Sequence, residues 1–213
     1  MTKIYIYKMT VDNGGAPCVS GDILSLAICK PAIRSTAESG NIILGFAGND
    51  LYKDNRLIYV ARVTDKLDSR NYSSESRYAA RPDSIYQWDG RRFQWKSGSK
   101  FHLPSDLEHD LGQAPDYDRA NVLLSEGMDN FRYFGANCPV DYKRYLHLKL
   151  LIGKLGRAYR VHNFEPEVQQ ELNGFTEELL RTTWVYRETA TPNSPCPDKC
   201  SDADNDYATG DCQ

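Results

Sequence analysis

No stretch of this chain approaches the roughly 18 uninterrupted apolar residues of a membrane-spanning helix. A secretory leader is missing too. Met1-Thr-Lys-Ile-Tyr-Ile-Tyr carries one cation and then alternates as a strand does, without an apolar core or a small-residue cleavage site. A cytoplasmic location is therefore expected, with the six cysteines mostly reduced. Excess positive charge is also absent. The formal net charge is −3 over 213 residues, which excludes a protein that coats duplex DNA by charge alone. Any nucleic-acid contact must be local, in a groove or pocket. No Gly-Lys-Ser/Thr follows Gly14-Gly15-Ala16-Pro17, so that loop is not a P-loop. Ser125 lacks the Gly-x-Ser-x-Gly elbow of a hydrolase. Cys196, Cys200 and Cys212 lack the paired spacing of a zinc knuckle, and no metal or cofactor is expected.

Apolar residues make up 40% of the chain, enough for one well-buried core. Residues 3–10 alternate and read as a strand. Residues 12–17 are rich in turn formers. Residues 22–29 form a short apolar element of either type. Pro31, needing no N–H partner, opens a helix over about 31–38, and Ser39-Gly40 stops it. Residues 41–47 read as a buried strand. Residues 56–64 are apolar on both faces at their centre and belong inside a sheet. A short helix is expected within 68–78. Residues 84–88 and 91–95 flank Asp89-Gly90, the strongest short hairpin signal. Residues 97–118 form a long polar loop, a length that usually marks function or mobility. Residues 121–125 and 130–135 give two more strands.

From Asp141 the apolar period lengthens. Leu146, Leu148, Leu150, Leu151 and Leu155 predict an inward stripe on a helix over about 141–154. Residues 166–180 form a second amphipathic helix, with Val168, Leu172, Phe175, Leu179 and Leu180 inward. Residues 1–186 thus read as one globular unit. Residues 187–213, acidic and Cys-containing, lack the apolar content to fold alone and read as disordered. The order of elements predicts an α+β fold with a mixed or antiparallel sheet, closed into a small barrel.

Several clusters carry possible chemistry. Cys29-Lys30-Pro31 and Arg34 combine a helix start with two cations. Lys30, Arg34 and the first-turn amides would hold a phosphate. Cys29 has the neighbours that make a thiol nucleophilic, although a simply buried thiol fits as well. Gly14, Gly15 and Pro17 form either a plain turn or a wall that lets backbone approach a ligand. Tyr86, Trp88 and Trp95 would stack on a base and Gln94 would read its edge. The same aromatics would equally form a cross-strand pair that only stabilises the hairpin. His109 beside Asp110 would make a general base with an oriented imidazole, or both would lie on a solvated loop. His102 and Asp106 are close in sequence but complete no recognised metal spacing.

The residues also carry a resemblance. Gly15-Ala-Pro-Cys-(x)3-Asp-(x)6-Cys29-Lys-Pro-x-Ile-Arg-(x)2-Ala-(x)2-Gly-Asn-Ile-Ile-Leu-Gly-Phe is followed by Asp83-Ser-Ile-Tyr86, Trp88-Asp-Gly-Arg-(x)2-Gln94, Val122-Leu-Leu-Ser125 and Phe131-Arg-Tyr-Phe-Gly135. This order resembles the nucleotide modification associated domain family, type 2, over about residues 3–180. Such domains occur beside enzymes that make hypermodified DNA bases. The resemblance implies a protein that binds a modified or modifiable base, as a nucleotide or flipped from DNA, in a hypermodification or sensing system. Two alternatives stay open: an enzyme acting on the nucleotide or base through Cys29, His109 and Asp110, or a docking partner of a DNA-modifying enzyme. The family's Ser-x-His and His-Asp pattern has a counterpart in the long loop, with Ser99-Lys-Phe-His102 departing in spacing. Residues 40–46 and 56–63 further resemble two strands of PUA-like barrels (EVE, ASCH and YTH modules), with Asn41 where Asp is usual. That likeness implies a helix at the barrel mouth beside a base pocket.

Overall fold

The computed structural model describes residues 2–156, the backbone of 160–161, and residues 164–182. The tail expected over 187–213 lies outside the described residues. Strand β1 (Ile4–Met9) alternates in sequence, yet five of its six residues are buried. Its place in the sheet explains this. It runs parallel to β4 (Ile42–Ala47), from Ile4 opposite Ile42 to Met9 opposite Ala47. Antiparallel β5 (Leu57–Arg62) follows β4, and β10 (Phe131–Tyr133) pairs with β5. The short β11 (Arg160–Val161) pairs with the other side of β1.

A second, antiparallel sheet has the order β2 (Cys18–Ser20), β3 (Ile23–Leu26), β9 (Asn121–Glu126), β6 (Asp65–Asp68). The apolar element of undecided type at 22–29 is therefore strand β3. The expected strand over 56–64 breaks at a corner. There the chain leaves the first sheet as β5 and enters the second as β6. β9 and β10 make the reverse crossing alongside it. The Thr64 N–H donates to the Leu124 carbonyl and the Arg62 N–H to that of Asn130, so both strands bend together.

The two sheets enclose one core, with Tyr5, Tyr7, Ile43, Tyr59, Leu24 and Phe131 facing inward. Gly45 is needed here because the Tyr59 ring fills the space its Cβ would take. The outer face of the five-stranded sheet is covered by α5 (Leu146–Lys154) and α6 (Pro166–Arg181). Ile6, Leu44 and Phe46 meet Leu148, Ile152, Leu172 and Phe175 across that layer. Each such side chain contributes about 1.5–3 kcal/mol by leaving water.

The α5 stripe differs from expectation. Leu146 and Leu150 are 60% and 52% exposed. A 3₁₀ turn over Tyr142–Arg144 and an extended Tyr145 delay the α-helix to Leu146. Its phase is then set by Leu148 and Ile152, one i,i+4 pair.

Four short helices complete the fold: α1 (Pro31–Thr36), α2 (Ser69–Ser74), α3 (Ser76–Ala79) and α4 (Leu107–Leu111). A two-stranded hairpin, β7 (Tyr86–Trp88) and β8 (Phe93–Trp95), forms a third sheet. The architecture is α+β. Among the described residues no ladder closes the sheets into a barrel. The strands change sheets at the 63–64 corner, and the loop over 12–17 carries the chain from β1 to β2 without pairing them. Among the described residues, no helix is long and apolar enough to cross a membrane.

Candidate functional site

Cys29 stands between β3 and α1, on a strand-to-helix turn. Cys29 and Lys30 both take left-handed backbone, with φ of 55° and 44°. That conformation costs a residue with a Cβ about 1–2 kcal/mol, so surrounding bonds must hold it. They do. The Cys29 N–H donates to Asp110 Oδ1 at 3.0 Å, and the Cys29 carbonyl accepts from Arg34 Nε at 2.7 Å. Arg34 is fully buried. Its remaining nitrogens donate to the carbonyls of Asp110, Arg119 and Asn121. One guanidinium thus ties the Cys29 turn to the end of α4 and the start of β9.

The side chains at this junction form a line. Cys29 Sγ lies 3.1 Å from His102 Nε2. His102 Nδ1 lies 2.6 Å from Asp110 Oδ2. The Tyr86 hydroxyl donates to that same oxygen at 2.7 Å. Pro104–Asp106 turns the chain as a 3₁₀ helix and α4 continues it, which returns Asp110 to His102 across eight residues. His102 itself is left-handed, with φ of 51°.

Burial alone would raise the Asp110 carboxyl. The hydrogen bond and charge of His102, the charge of Arg34 and the Tyr86 hydroxyl outweigh it and hold the group below the usual 3.8. Burial, then Asp110, pushes the Tyr86 phenol far up, so it serves as a donor. His102 and Asp110 are buried, while Cys29 keeps partial exposure.

This is the arrangement that nucleophilic thiol chemistry requires. Nδ1 faces the carboxylate and Nε2 faces the sulfur. Among the described residues, no three His, Cys, Asp or Glu side chains converge to hold a metal ion.

Further polar contacts lie in the neighbouring loop and strands. Gly15 packs on the Phe101 ring so closely that a Cβ there would lie 2.8 Å from it. Asp12 accepts the Tyr133 hydroxyl on both oxygens, at 2.6 and 2.7 Å. The Tyr7 and Tyr59 hydroxyls lie 2.9 Å apart. Lys30 Nζ sits 5.5 Å from the Tyr7 ring centre.

A family model for nucleotide modification associated domain 2 matches residues 1–194. The chain belongs to that family. Comparison with curated proteins finds no match, and neither does comparison with solved structures.

In this family member, Cys29 and Asp110 come together, through the Cys29 N–H and through His102. His109 precedes Asp110 on α4, where successive side chains point about 100° apart, so it leaves the helix on another face. Arg34 points inward to backbone carbonyls and does not face a ligand. Gly14, Gly15 and Pro17 are buried in the loop beside Phe101. Tyr86 is buried on Asp110. Trp88 lies under the Arg70 guanidinium, 4.6 Å from its ring centre, and edge-on to Phe93. Trp95 packs in the same cluster, which also contains Leu111 of α4 and Phe101. Gln94 is exposed and donates to Asp89 at 2.7 Å, across the hairpin loop. The hairpin therefore backs the segment that carries His102 and Asp110. The family's Ser-x-His pattern was the only pointer to His102, because an eight-residue separation defines no common helix face.

Proposed function

We propose that this protein is a cysteine enzyme of nucleotide modification, acting on an acyl or amide group carried by a nucleotide or by a base flipped from DNA. The observation behind this reading is the relay itself: 3.1 Å from Cys29 Sγ to His102 Nε2, and 2.6 Å from Nδ1 to Asp110 Oδ2. The family supplies the nucleotide context.

His102 takes the Cys29 proton as the sulfur adds to the carbonyl carbon. Collapse of that adduct forms a thioester and expels the amine or alcohol, which leaves with the proton from His102. Water or an acceptor amine then attacks the thioester, gives its proton through His102 to the departing sulfur, and regenerates the thiol. Asp110 fixes the imidazole tautomer and steadies the imidazolium. Lys30, over the Tyr7 ring, is the cation that this reading assigns to a phosphate. A base held only for recognition would give this relay no task, and the hairpin aromatics that would stack on it are packed into the protein.

The test is turnover of nucleosides, nucleotides and short oligonucleotides bearing acyl or amide substituents on the base, with intact mass reporting any adduct on Cys29. Cys29→Ser and His102→Ala should each lose about 100-fold or more. Turnover that survives Cys29→Ser defeats the reading.

A further inference from the structure

One carboxylate near the relay is not used by the thiol chemistry. Asp12 begins the loop after β1, and its two oxygens share the Tyr133 hydroxyl from β10. Three residues on, Gly15 rests against Phe101, the sequence neighbour of His102. One short loop therefore links Tyr133 to the segment that carries His102. The buried Tyr7 and Tyr59 hydroxyls lie 2.9 Å apart, with Lys30 over the Tyr7 ring. Asp12, Asn13, Cys29 and Lys30 keep partial exposure, while Tyr7, Tyr59, His102 and Asp110 are buried. After burial and Tyr59, the charges of Cys29 and Asp12 both help to raise the Tyr7 phenol, so both groups lie near that one hydroxyl.

A carboxylate accepts about four hydrogen bonds, and one phenol lying between its oxygens leaves their outer positions for further donors. Burial raises the Asp12 carboxyl and the Tyr133 hydrogen bond draws it back. A half-buried carboxylate beside a nucleophile, held by a phenol, matches a ligand that presents N–H donors.

We propose that Asp12, positioned by Tyr133, is the specificity-determining acceptor for the exocyclic amino group of the substrate base, so that the site prefers amino-bearing bases to their oxo counterparts. This rests on the reading of Cys29 as the nucleophile of a nucleotide-modifying enzyme. Cytosine presents an amino group where uracil presents a carbonyl, as does adenine where hypoxanthine does, and a carboxylate accepts from the first of each pair and repels the second.

The experiment uses the full chain and two matched pairs, dCMP with dUMP and dAMP with dIMP. Each is titrated as a protectant of Cys29 against the neutral reagent methyl methanethiosulfonate, with modification followed by peptide mass mapping. In the wild type at least one amino nucleotide should protect at about fivefold lower concentration, or less, than its oxo partner, in line with the roughly 1–3 kcal/mol of a well-made polar base contact. Asp12→Asn, nearly the same shape, should bring the pair within about twofold, with protection in each protein scaled to its own nucleotide-free rate of Cys29 modification. Equal protection within both pairs in the wild type, absence of protection included, overturns the proposal. So does an amino preference that survives Asp12→Asn. The nucleotide-free rate separates this failure from that of the thiol reading: a Cys29 that reacts no faster than Cys138 in the wild type defeats the relay itself.

Discussion

Asp110 and Cys29 are joined twice, once by the Cys29 N–H to Oδ1 and once through His102 on Oδ2. A single carboxylate therefore holds the Cys29 backbone and orients the His102 ring. Loss of that carboxylate affects both the shape of the turn and the placement of the proton.

The pH dependence of stability follows from the same group. Asp110 has a depressed folded-state carboxyl. Its stabilisation is fully present above the unfolded value of about 3.9 and is lost as pH falls through the lower folded value. The stability difference between wild type and Asp110→Asn should stay level from about pH 7 to 5 and shrink below about pH 4. Chemical denaturation at four pH values checks this. A gap that widens in acid contradicts it.

Arg34→Met should be among the most destabilising substitutions in the chain. It removes the guanidinium donor from the carbonyls of Cys29, Asp110 and Asn121, while that of Arg119 keeps the Asn121 N–H. At about 1–3 kcal/mol for each buried group left unsatisfied, a loss of at least about 3 kcal/mol is expected by urea denaturation. A loss under about 1 kcal/mol would mean that the guanidinium does not clamp the turn.

Trp88→Ala should cost stability. The ring is sandwiched between Arg70 and the Phe93–Tyr117 pair. About 2–4 kcal/mol is expected, near the low end for removing a large aromatic because the ring is only half-buried. Weaker binding of nucleotides with unchanged stability would instead return the hairpin to a stacking role.

The two faces of α5 should respond differently. Leu148→Ala should cost about 2–5 kcal/mol, while Leu150→Ala should fall within about 0.5 kcal/mol of wild type. Thermal melts of the two variants decide the phase of the helix.

The central strands of the larger sheet were legible because burial on both faces leaves a nearly continuous apolar run, as in residues 56–62, whereas the short, partly exposed β2 and β6 were not. The corner at 63–64 was not, since sheet switching depends on which strand arrives alongside, and β9 arrives from 60 residues away. The leucine repeat announced α5 but overcounted its buried face, because nothing in the repeat marks the 3₁₀ start. At the site, Pro31 and the flanking cations located the Cys29 turn correctly, and Arg34 was misjudged. A cation near a helix start reads as a phosphate ligand until the fold shows four carbonyls converging on it. His109 drew attention through its adjacency to Asp110, whereas contact in the folded chain belongs to His102. Adjacency in sequence opposes contact on a helix, and the turn that brings residue 102 back to residue 110 combines a 3₁₀ segment with α4 and has no simple period.

The relay can be tested without knowing the substrate. Iodoacetamide labelling, resolved by peptide mass mapping at pH 7, compares the described thiols within one sample. Burial pushes Cys138 up to about 11 and Cys18 higher still, so both should label slowly. Cys29 should label first, and His102→Ala should slow it by about tenfold or more while leaving Cys138 unchanged. A Cys29 that labels no faster than Cys138, or that ignores the loss of His102, contradicts the assignment of Cys29, His102 and Asp110 as a nucleophile and its base.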